Sequence, residues 1–326
     1  MKAILMDSYG SPDVLVLAEV DKPEPAGDQV LVRVEAASLN TADLDILRGF
    51  PRAVRVGAGW RAPKHHGVGI DVAGRVEAVG PDVTRFRPGD EVWADLYQHG
   101  HGAFTEFVCL PERAFTPKPA GISFEQAATV PHSGLLAIQA LTSRGPIRGQ
   151  EVLINGAGGC VGPFAIQIAK AMGAAVTGVD HTDKLEVMRR VGADRVADYT
   201  TEDVTRDRAR YDLILDIAAT RSPLRFLPAL APGGRYVLIA RTIGGFIRAA
   251  TVDALVARMA GKRIGVFNWV PSRRQDLETI GRLIEQGKVS PLIDRSYPLA
   301  EVPEAFRRLE AGLLRGKAVV VPGGGQ

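Results

Sequence analysis

The residues best placed to do chemistry lie in a glycine-rich turn in the middle of the chain. Residues 157–162 read AGGCVG, with an apolar strand pattern before them and a helix pattern after them. Such a turn lets backbone N–H groups approach a pyrophosphate, and the N-terminus of the following helix adds partial positive charge. Gly159 allows this close approach, and Gly162 allows the helix to pack on the sheet. The predicted dinucleotide site therefore consists of Gly156, Ala157, Gly159, Cys160, Val161 and Gly162.

The segment after this turn leaves the choice of cofactor open. Asp180 ends the next predicted strand, where a carboxylate can accept a hydrogen bond from a ribose 2′-OH and repel a 2′-phosphate. Lys184 follows in the next predicted helix and can neutralise that phosphate, while Tyr199 ends a later strand and can add a hydroxyl donor. Asp180 therefore indicates NAD(H), whereas Lys184 and Tyr199 indicate NADP(H).

Pairs of histidines are the next candidates for chemistry. His65-His66 and His99-Gly100-His101 could bind a metal, but neither has a carboxylate or cysteine at a fixed spacing. The two cysteines, Cys109 and Cys160, cannot form a four-cysteine zinc site. We therefore predict no metal site.

The elements that must position these residues change in character along the chain. Short apolar or alternating runs, separated by turn clusters, fill the first third and predict β-strands. From residue 121 onward, strand and helix patterns alternate, which is typical of βαβ units and a parallel sheet. The expected fold class is α/β, with a β domain at 1–120 that is completed by 277–326 and a nucleotide-binding domain at 121–276.

The composition limits the class of protein further. The 326 residues are 46% hydrophobic, which is enough for two domain cores. The net charge is +3 and the basic residues are scattered, whereas a nucleic-acid groove needs a concentrated stripe of them. No apolar run is long enough to span a membrane. Asp7 interrupts the start before a secretory apolar region could form, so we expect a cytoplasmic location.

These motifs belong to a wider resemblance. The segments SLNTADLDILRG, GIDVAGRVEAVGPDVTRFRPGDEVW and AATVPHSGLLAIQAL, together with the glycine turn, resemble the zinc-independent quinone oxidoreductase branch of the medium-chain dehydrogenase/reductase superfamily. The resemblance implies a GroES-like β domain and a Rossmann doubly wound parallel sheet, in a homodimer joined through an edge strand at 263–269. It also implies that Lys184 and Tyr199 hold a 2′-phosphate. NADP(H) is therefore favoured, and Asp180 keeps NAD(H) possible.

The same resemblance suggests a reaction that needs no metal. In the zinc enzymes of the superfamily, the segment matching SLNTADL carries a cysteine, and Gly-His-Glu matches Gly69-Ile70-Asp71. This chain has Asn40 or a neighbour in place of the cysteine, and Ile70, which cannot ligate, in place of the histidine. The expected substrates are small-molecule quinones and α,β-unsaturated carbonyls, because hydride addition to them gives a delocalised anion that a few donors can hold.

Three residues are the candidate catalytic groups. Asn40 could orient the nicotinamide or a substrate oxygen, Tyr97 could donate a proton, and His132 could titrate near neutral pH. Asp43 is expected to cap the helix that follows it. The predicted cofactor-binding residues outside the glycine turn are Asn40, Thr129, Asp180, Lys184, Tyr199 and Asn268.

Two other functions stay open. An enoyl-thioester reductase would need a basic patch for a phosphorylated carrier, which Arg52, Arg55 and Arg61 could supply. A weakly catalytic NADPH-binding protein is the other alternative, because Asp45 stands where relatives often have tyrosine, histidine or lysine. Residues 241–262 are expected to form an apolar cover, which would suit an apolar or aromatic substrate.

Overall fold

The computed structural model describes residues 1–52, 55–143, 145–239, 249–267 and 269–323. In chain order the described strands are β1 (Lys2–Met6), β2 (Leu15–Glu19), β3 (Gln29–Ser38), β4 (Asp71–Val79), β5 (Glu91–Asp95), β6 (Phe107–Pro111), β7 (Thr116–Pro117), β8 (Glu151–Asn155), β9 (Ala175–Asp180), β10 (Arg195–Asp198), β11 (Tyr211–Asp216), β12 (Leu230–Leu238), β13 (Arg263–Val266), β14 (Ile293–Pro298) and β15 (Lys317–Val321). The helices are α1 (Thr41–Arg48), α2 (Arg55–Ala58), α3 (Phe124–Ala128), α4 (Pro131–Thr142), α5 (Gly162–Ala171), α6 (Leu185–Arg190), α7 (Ala254–Met259), α8 (Arg274–Glu285) and α9 (Val302–Glu310).

The chain divides into two compact units. The first comprises Met1–Leu135, Pro271–Glu285 and Pro291–Gln326, and the second comprises Leu136–Val270 with Gln286–Ser290. Both ends of the chain therefore contribute to the first unit. The domain limits predicted from the sequence, at residues 120 and 276, stay a prediction.

The first unit is built on a mainly antiparallel sheet. Its strands run in the order β14–β15–β3–β4–β5–β7, with β6 also paired to β3, and β1 and β2 form a separate antiparallel pair. Valine and alanine dominate the buried positions of β3 and β4, where the β-branched valine suits a pleated surface. β15 pairs antiparallel with the end of β3, so residues far apart in sequence become neighbours there.

The second unit is a parallel α/β sheet. Its strands run in the order β10–β9–β8–β11–β12–β13, which is the 3-2-1-4-5-6 order of the doubly wound dinucleotide-binding fold. Every pairing in this sheet is parallel, as in β8 with β9 and β11. The predicted parallel sheet is confirmed. The strand order reverses between the central strands β8 and β11, and such folds bind ligands at the carboxyl ends of the strands at this point.

Candidate functional site

The glycine turn (residues 156–162) of the second unit joins β8 to α5. Gly156 has a φ of +84°, and a Cβ added there would lie 2.9 Å from the backbone nitrogen of Ala218. Gly162 opens α5, where an added Cβ would lie 2.2 Å from the carbonyl oxygen of Ala157. A Cβ at Gly159, by contrast, would meet only a carbonyl oxygen at 3.6 Å. Of the four glycines of the turn, Gly156 and Gly162 are held close to backbone atoms, Gly158 is covered by the Lys184 side chain, and Gly159 leaves open space.

Backbone hydrogen bonds hold this turn to the next strand. The N–H groups of Gly156 and Ala157 donate to the carbonyl oxygen of Val179, at 2.9 and 3.0 Å. The first N–H groups of α5 have no carbonyl partner within the helix, as at any helix start. A rigid turn with open space and free helix donors fits the pyrophosphate of a dinucleotide. Cys160 and Val161 complete the turn, with Cys160 partly exposed and present as a free thiol.

The Asp180 carboxylate accepts two backbone hydrogen bonds, one of them from the glycine turn. Its Oδ2 accepts from the N–H of Gly158 at 2.8 Å, and its Oδ1 accepts from the N–H of His181 at 2.8 Å. The carboxylate therefore fixes the glycine turn against the end of β9. The sequence patterns did not single out Gly158 as a partner of Asp180, since an N–H donor carries no side-chain signal.

Lys184 and Tyr199 both lie near the end of β9 that carries Asp180. Lys184 is the last residue of a short 3₁₀ turn before α6, rather than one turn inside a helix, and its stem packs over Gly158, where an added Cβ would lie 2.4 Å from the Cβ of Lys184. Tyr199 follows β10, is 48% exposed, and its N–H donates to the carbonyl oxygen of Asp180 at 3.2 Å. Its ring centroid lies 6.1 Å from that of His181. Lys184 thus packs beside the turn, and Tyr199 is held at the end of β9 through its backbone.

The first unit contains a buried group of charged and polar side chains, which we call the polar cluster. Its members are Asn40, Asp43, Asp71, Asp95, His132, Ser133 and Lys317. They come from the start of α1, the start of β4, the end of β5, the start of α4 and the first residue of β15. Each is less than 9% exposed. Because buried polar groups cost free energy unless they are paired, the contacts among them decide what the cluster can do.

Asn40 lies at the centre of the polar cluster and is 2% exposed. Its Nδ2 donates to Oδ2 of Asp71 at 2.8 Å, while its Oδ1 accepts from the Ser133 hydroxyl at 2.9 Å and from the Lys317 ammonium. These partners define which end of the carboxamide faces which neighbour. Its backbone N–H donates to Oδ2 of Asp43 at 2.7 Å, so Asp43 braces the start of α1. The role of Asn40 in orienting nicotinamide or substrate stays a prediction.

His132 connects the polar cluster to Tyr97. Its backbone N–H donates to Oδ1 of Asp71 at 2.8 Å, and its Nδ1 lies 3.3 Å from Oδ2 of Asp95. Burial alone would lower the pKa of His132, but the charges of Asp95, Asp71 and Asp43 outweigh it and raise that pKa. These neighbouring carboxylates therefore make His132 easier to protonate than a free imidazole.

Tyr97 is the solvent-exposed neighbour of this buried group. Its ring is stacked on that of His132 with centroids 5.7 Å apart and planes 24° from parallel, and the residue is 37% exposed. Burial of the hydroxyl, together with the charges of Asp95 and Asp45, raises the pKa of Tyr97. The hydroxyl therefore stays protonated at neutral pH and can donate a hydrogen bond.

The polar cluster has one more acid than base. Asp43, Asp71 and Asp95 face the cations of Lys317 and His132. Burial raises the pKa of Asp43 to about 7, and within the described residues its Oδ1 has no hydrogen-bond partner. Burial also raises the pKa of Asp71, whereas Lys317 opposes that shift. Asp43 is therefore the carboxyl group of the polar cluster that we expect to bind a proton near pH 7.

Several predicted residues lie away from these groups or outside the description. The Thr129 hydroxyl is buried and donates to the carbonyl oxygen of Gln126 at 2.7 Å, which ends α3. Asn268 and residues 241–248 of the expected cover lie outside the described residues. The described remainder of the cover includes α7, on which Met259 is 83% exposed.

Metal-binding side chains do not gather in the part of the chain that the structure describes. There, no group of three or more histidine, cysteine, aspartate or glutamate residues could hold a metal ion. Of the histidine pairs, His66 is paired with Asp7, with Nδ1 to Oδ1 at 2.9 Å. The pKa of His101 is lowered to about 4 by burial and by His65, so its ring is neutral.

Sequence patterns missed four members of the polar cluster, namely Asp71, Asp95, Ser133 and Lys317. Only Lys317 left a visible signal, as a lysine that begins the otherwise apolar strand KAVVV. The others follow or precede ordinary strand and helix patterns. Their contacts arise from tertiary pairing, as β15 with β3 and β4 with β5.

Comparisons with known proteins identify the family. Residues 26–120 match the family described as Alcohol dehydrogenase GroES-like domain, and residues 191–320 match the one described as Zinc-binding dehydrogenase. The mitochondrial NAD(P)H oxidoreductase RTN4IP1 of Mus musculus is 32% identical over 357 residues, spanning 98% of this chain and 89% of that protein. The chloroplastic NADPH-dependent alkenal/one oxidoreductase of Arabidopsis thaliana is 32% identical over 336 residues, spanning 99% and 80%.

A solved structure agrees with these relatives. The quinone oxidoreductase from Coxiella burnetii superposes with a TM-score of 0.86 at 29% identity, covering 98% of this chain and 99% of that one. The chain belongs to the quinone oxidoreductase branch of the medium-chain dehydrogenase/reductase superfamily. The predicted family and the fold class, a GroES-like domain with a Rossmann sheet, are confirmed. Among the described helices of this oxidoreductase, none is long and apolar enough to cross a membrane.

Proposed function

We propose that this oxidoreductase transfers hydride from NAD(P)H to a quinone or an α,β-unsaturated carbonyl compound. The observation that carries the proposal is the glycine turn, where neither Gly156 nor Gly162 can accept a side chain and open space remains at Gly159. Relatives named as NAD(P)H, quinone and alkenal/one oxidoreductases support the reaction class. An intact turn explains cofactor binding, and the relatives point to the acceptor.

NADP(H) is the favoured cofactor. Lys184 beside the glycine turn and Tyr199 at the end of β9 would recognise the 2′-phosphate, and the Arabidopsis relative is named as NADPH-dependent. Asp180 argues less strongly for NAD(H) than its position suggests, because both of its oxygens already accept backbone N–H groups. NAD(H) remains the second choice.

The residues of the first unit would assist the reaction without a metal. When bound, the reduced nicotinamide supplies the hydride. Tyr97 keeps its proton at neutral pH and can donate a hydrogen bond to the oxygen where negative charge develops. A protonated His132, stacked on the Tyr97 ring, would favour the same anion. Zinc independence is proposed because Ile70 cannot ligate and Asn40 is already hydrogen bonded to Lys317 and Asp71.

The two alternative functions have less support. Arg55, one of three arginines proposed for a carrier-binding patch, donates instead to the carbonyl oxygens of Gly49 at 3.0 Å and Arg48 at 2.7 Å. Its guanidinium also lies over the Tyr9 ring. Of the three arginines, this leaves Arg52 and Arg61 to bind the phosphorylated carrier that an enoyl-thioester reductase would need. A weakly catalytic NADPH-binding protein would show cofactor binding with no acceptor reduced.

Assembly and location are also proposals. The end of the described parallel sheet at β13 has an edge that a second copy could extend, which favours the homodimer expected from the family. Light scattering at several protein concentrations would show a mass of one or two chains. We retain a cytoplasmic location as the proposal, although the mouse and Arabidopsis relatives are named as mitochondrial and chloroplastic.

The test of function is a cofactor-oxidation assay after chelator treatment. NADPH and NADH absorbance are followed in parallel against a panel of quinones, enones and one enoyl-coenzyme A. We expect chelator-resistant turnover with quinones or enones, with NADPH preferred. Preference for the thioester would move the assignment to enoyl reductase, and tight NADPH binding without any turnover would favour the weakly catalytic reading.

A further inference from the structure

The Lys317 ammonium is an unusual feature of the polar cluster. Lysine is seldom fully buried unless it is paired, yet Lys317 is 2% exposed. Its Nζ contacts Oδ1 of Asn40, lies 3.3 Å from the Ser133 hydroxyl and lies 3.5 Å from Oδ2 of Asp71. Three donors on nitrogen thus meet three oxygens. None of the residue roles proposed for the reaction involves Lys317.

The fold places Lys317 where it is by strand pairing. β15 runs antiparallel to β3, with Val319 opposite Ser38, and the N–H of Leu39 donates to the carbonyl oxygen of Ala318 at 3.0 Å. Lys317 therefore enters the polar cluster beside Asn40, which immediately follows β3 and Leu39. A register shift of one residue would turn its side chain to the opposite face of the sheet.

Asp71 links the ammonium to His132. Its Oδ2 accepts from Asn40 and from the Ser38 hydroxyl at 3.2 Å and lies beside Lys317, while its Oδ1 accepts the backbone N–H of His132. A buried carboxylate needs a compensating charge to remain ionised. Lys317 supplies that charge, so Asp71 can hold the start of α4 in place.

We infer that Lys317 is a positioning residue of the reductase: its ammonium acts as a fixed internal cation between Asn40 and Asp71, orienting the Asn40 carboxamide and the first turn of α4. Asn40 and Asp71 belong to the two segments that match the metal-ligand segments of the zinc enzymes. In those two segments the Lys317 ammonium contacts the side-chain oxygens of Asn40 and Asp71. Through Asp71 it sets the position of His132, on which Tyr97 is stacked. The inference rests on the proposed function only for its kinetic test.

The experiment compares three variants with the full-length wild type. Lys317→Met removes the cation, and Lys317→Met/Asp71→Asn removes the cation together with the carboxylate that would otherwise be left buried alone. Lys118→Met is the matched control, because Lys118 is also a buried lysine of the first unit, paired with Glu91 at 3.1 Å and away from the polar cluster. Thermal unfolding confirms that each variant is folded.

In the kinetic arm we expect Lys317→Met and the double variant to lower kcat about 10- to 100-fold, the range seen when residues that orient a reacting group are removed. KM and NADPH affinity should change much less, because no binding group is lost. Lys118→Met should keep the wild-type kcat. A double variant with wild-type kcat would overturn the inference, since Lys317 would then serve only to neutralise Asp71. An equal loss in Lys118→Met would also overturn it.

A second arm does not depend on activity. The His132 amide donates to Asp71, so its hydrogen exchange reports whether α4 is still held. We expect exchange at least about tenfold faster in Lys317→Met than in wild type or Lys118→Met. Unchanged protection of the His132 amide in Lys317→Met would overturn the inference, whether or not the wild type reduces an acceptor. A wild type that reduces no acceptor would overturn the proposed function instead.

Discussion

The glycine turn of the second unit and the polar cluster of the first unit reach rigidity by different routes. The turn uses backbone geometry: a positive φ at Gly156, no room for a Cβ at Gly162, and N–H groups donated to Val179 and Asp180. All of its residues lie within one βαβ stretch. The cluster uses side chains that are up to 277 positions apart, as in Asn40 and Lys317.

This difference has an energetic consequence. Backbone donors and glycines carry no net charge, so the turn relies on one carboxylate, that of Asp180, and is sensitive mainly to added volume. The polar cluster buries five ionisable groups, so it is sensitive to pH and to the loss of any one charge. The turn and the polar cluster should therefore each be disrupted by a different kind of change.

The largest expected effect is on the pH dependence of stability through Asp43. The folded-state pKa of Asp43 is raised to about 7 from 3.8, so the folded chain binds more protons than the unfolded chain between those values and loses stability as pH rises across that window. Asp43→Asn should therefore gain about 4 kcal/mol in unfolding free energy relative to wild type between pH 4 and pH 8. Urea unfolding across this range measures it.

An exposed aspartate provides the control for that measurement. Asp21→Asn should differ from wild type by the same amount at both pH values, since Asp21 is exposed. A difference between Asp43→Asn and wild type that does not grow with pH would show that Asp43 is ionised normally in the folded protein. The charge count of the polar cluster would then be wrong.

The second-largest effect is expected when a side chain is added within the glycine turn. Gly162→Ala would place a methyl group 2.2 Å from the Ala157 carbonyl oxygen, so the turn must shift. We expect NADPH affinity to fall about 30-fold, equivalent to about 2 kcal/mol. Gly281→Ala, in the middle of helix α8, has only ordinary contacts at 3.7 Å or more and should leave affinity unchanged. Fluorescence titration with NADPH compares the two.

How much could be predicted from the sequence follows from the same contrast. The turn, the parallel sheet and the family were predicted because their signals are local: Gly162 lies five positions after Ala157, and strand and helix patterns alternate around it. The contacts of Lys317 with Asn40 depend on which strands pair and in which register. No spacing rule encodes that, so the candidates Asn40 and His132 were named from the resemblance without the partners that hold them.

The third prediction asks whether side chains beside the turn choose the cofactor. Lys184→Ala removes the cation next to Gly158 and should weaken NADPH binding about tenfold while leaving NADH binding nearly unchanged, because only NADPH carries the 2′-phosphate. Lys170→Ala is a control, since Lys170 lies in the same unit but is paired with Asp194 at 2.7 Å. Equal losses for both cofactors with Lys184→Ala would remove Lys184 from 2′-phosphate recognition.

The smallest expected effect returns to the solvent-exposed neighbour of the polar cluster. Tyr97→Phe keeps the ring stacked on His132 and removes only the hydroxyl. If that hydroxyl donates to the developing oxyanion, kcat for a quinone should fall about fivefold, equivalent to about 1 kcal/mol, with the hydrogen exchange of the His132 amide unchanged. Tyr9→Phe is the matched control, because its hydroxyl contacts the carbonyl oxygens of Ala58 and Gly59 instead. A wild-type rate of hydride transfer in Tyr97→Phe, measured in single turnover, would remove the Tyr97 hydroxyl as the donor to the oxyanion. His132 and water would then be the remaining groups that could stabilise it. The contrast between the two regions would then extend to catalysis, since the first unit would act through a buried charge alone.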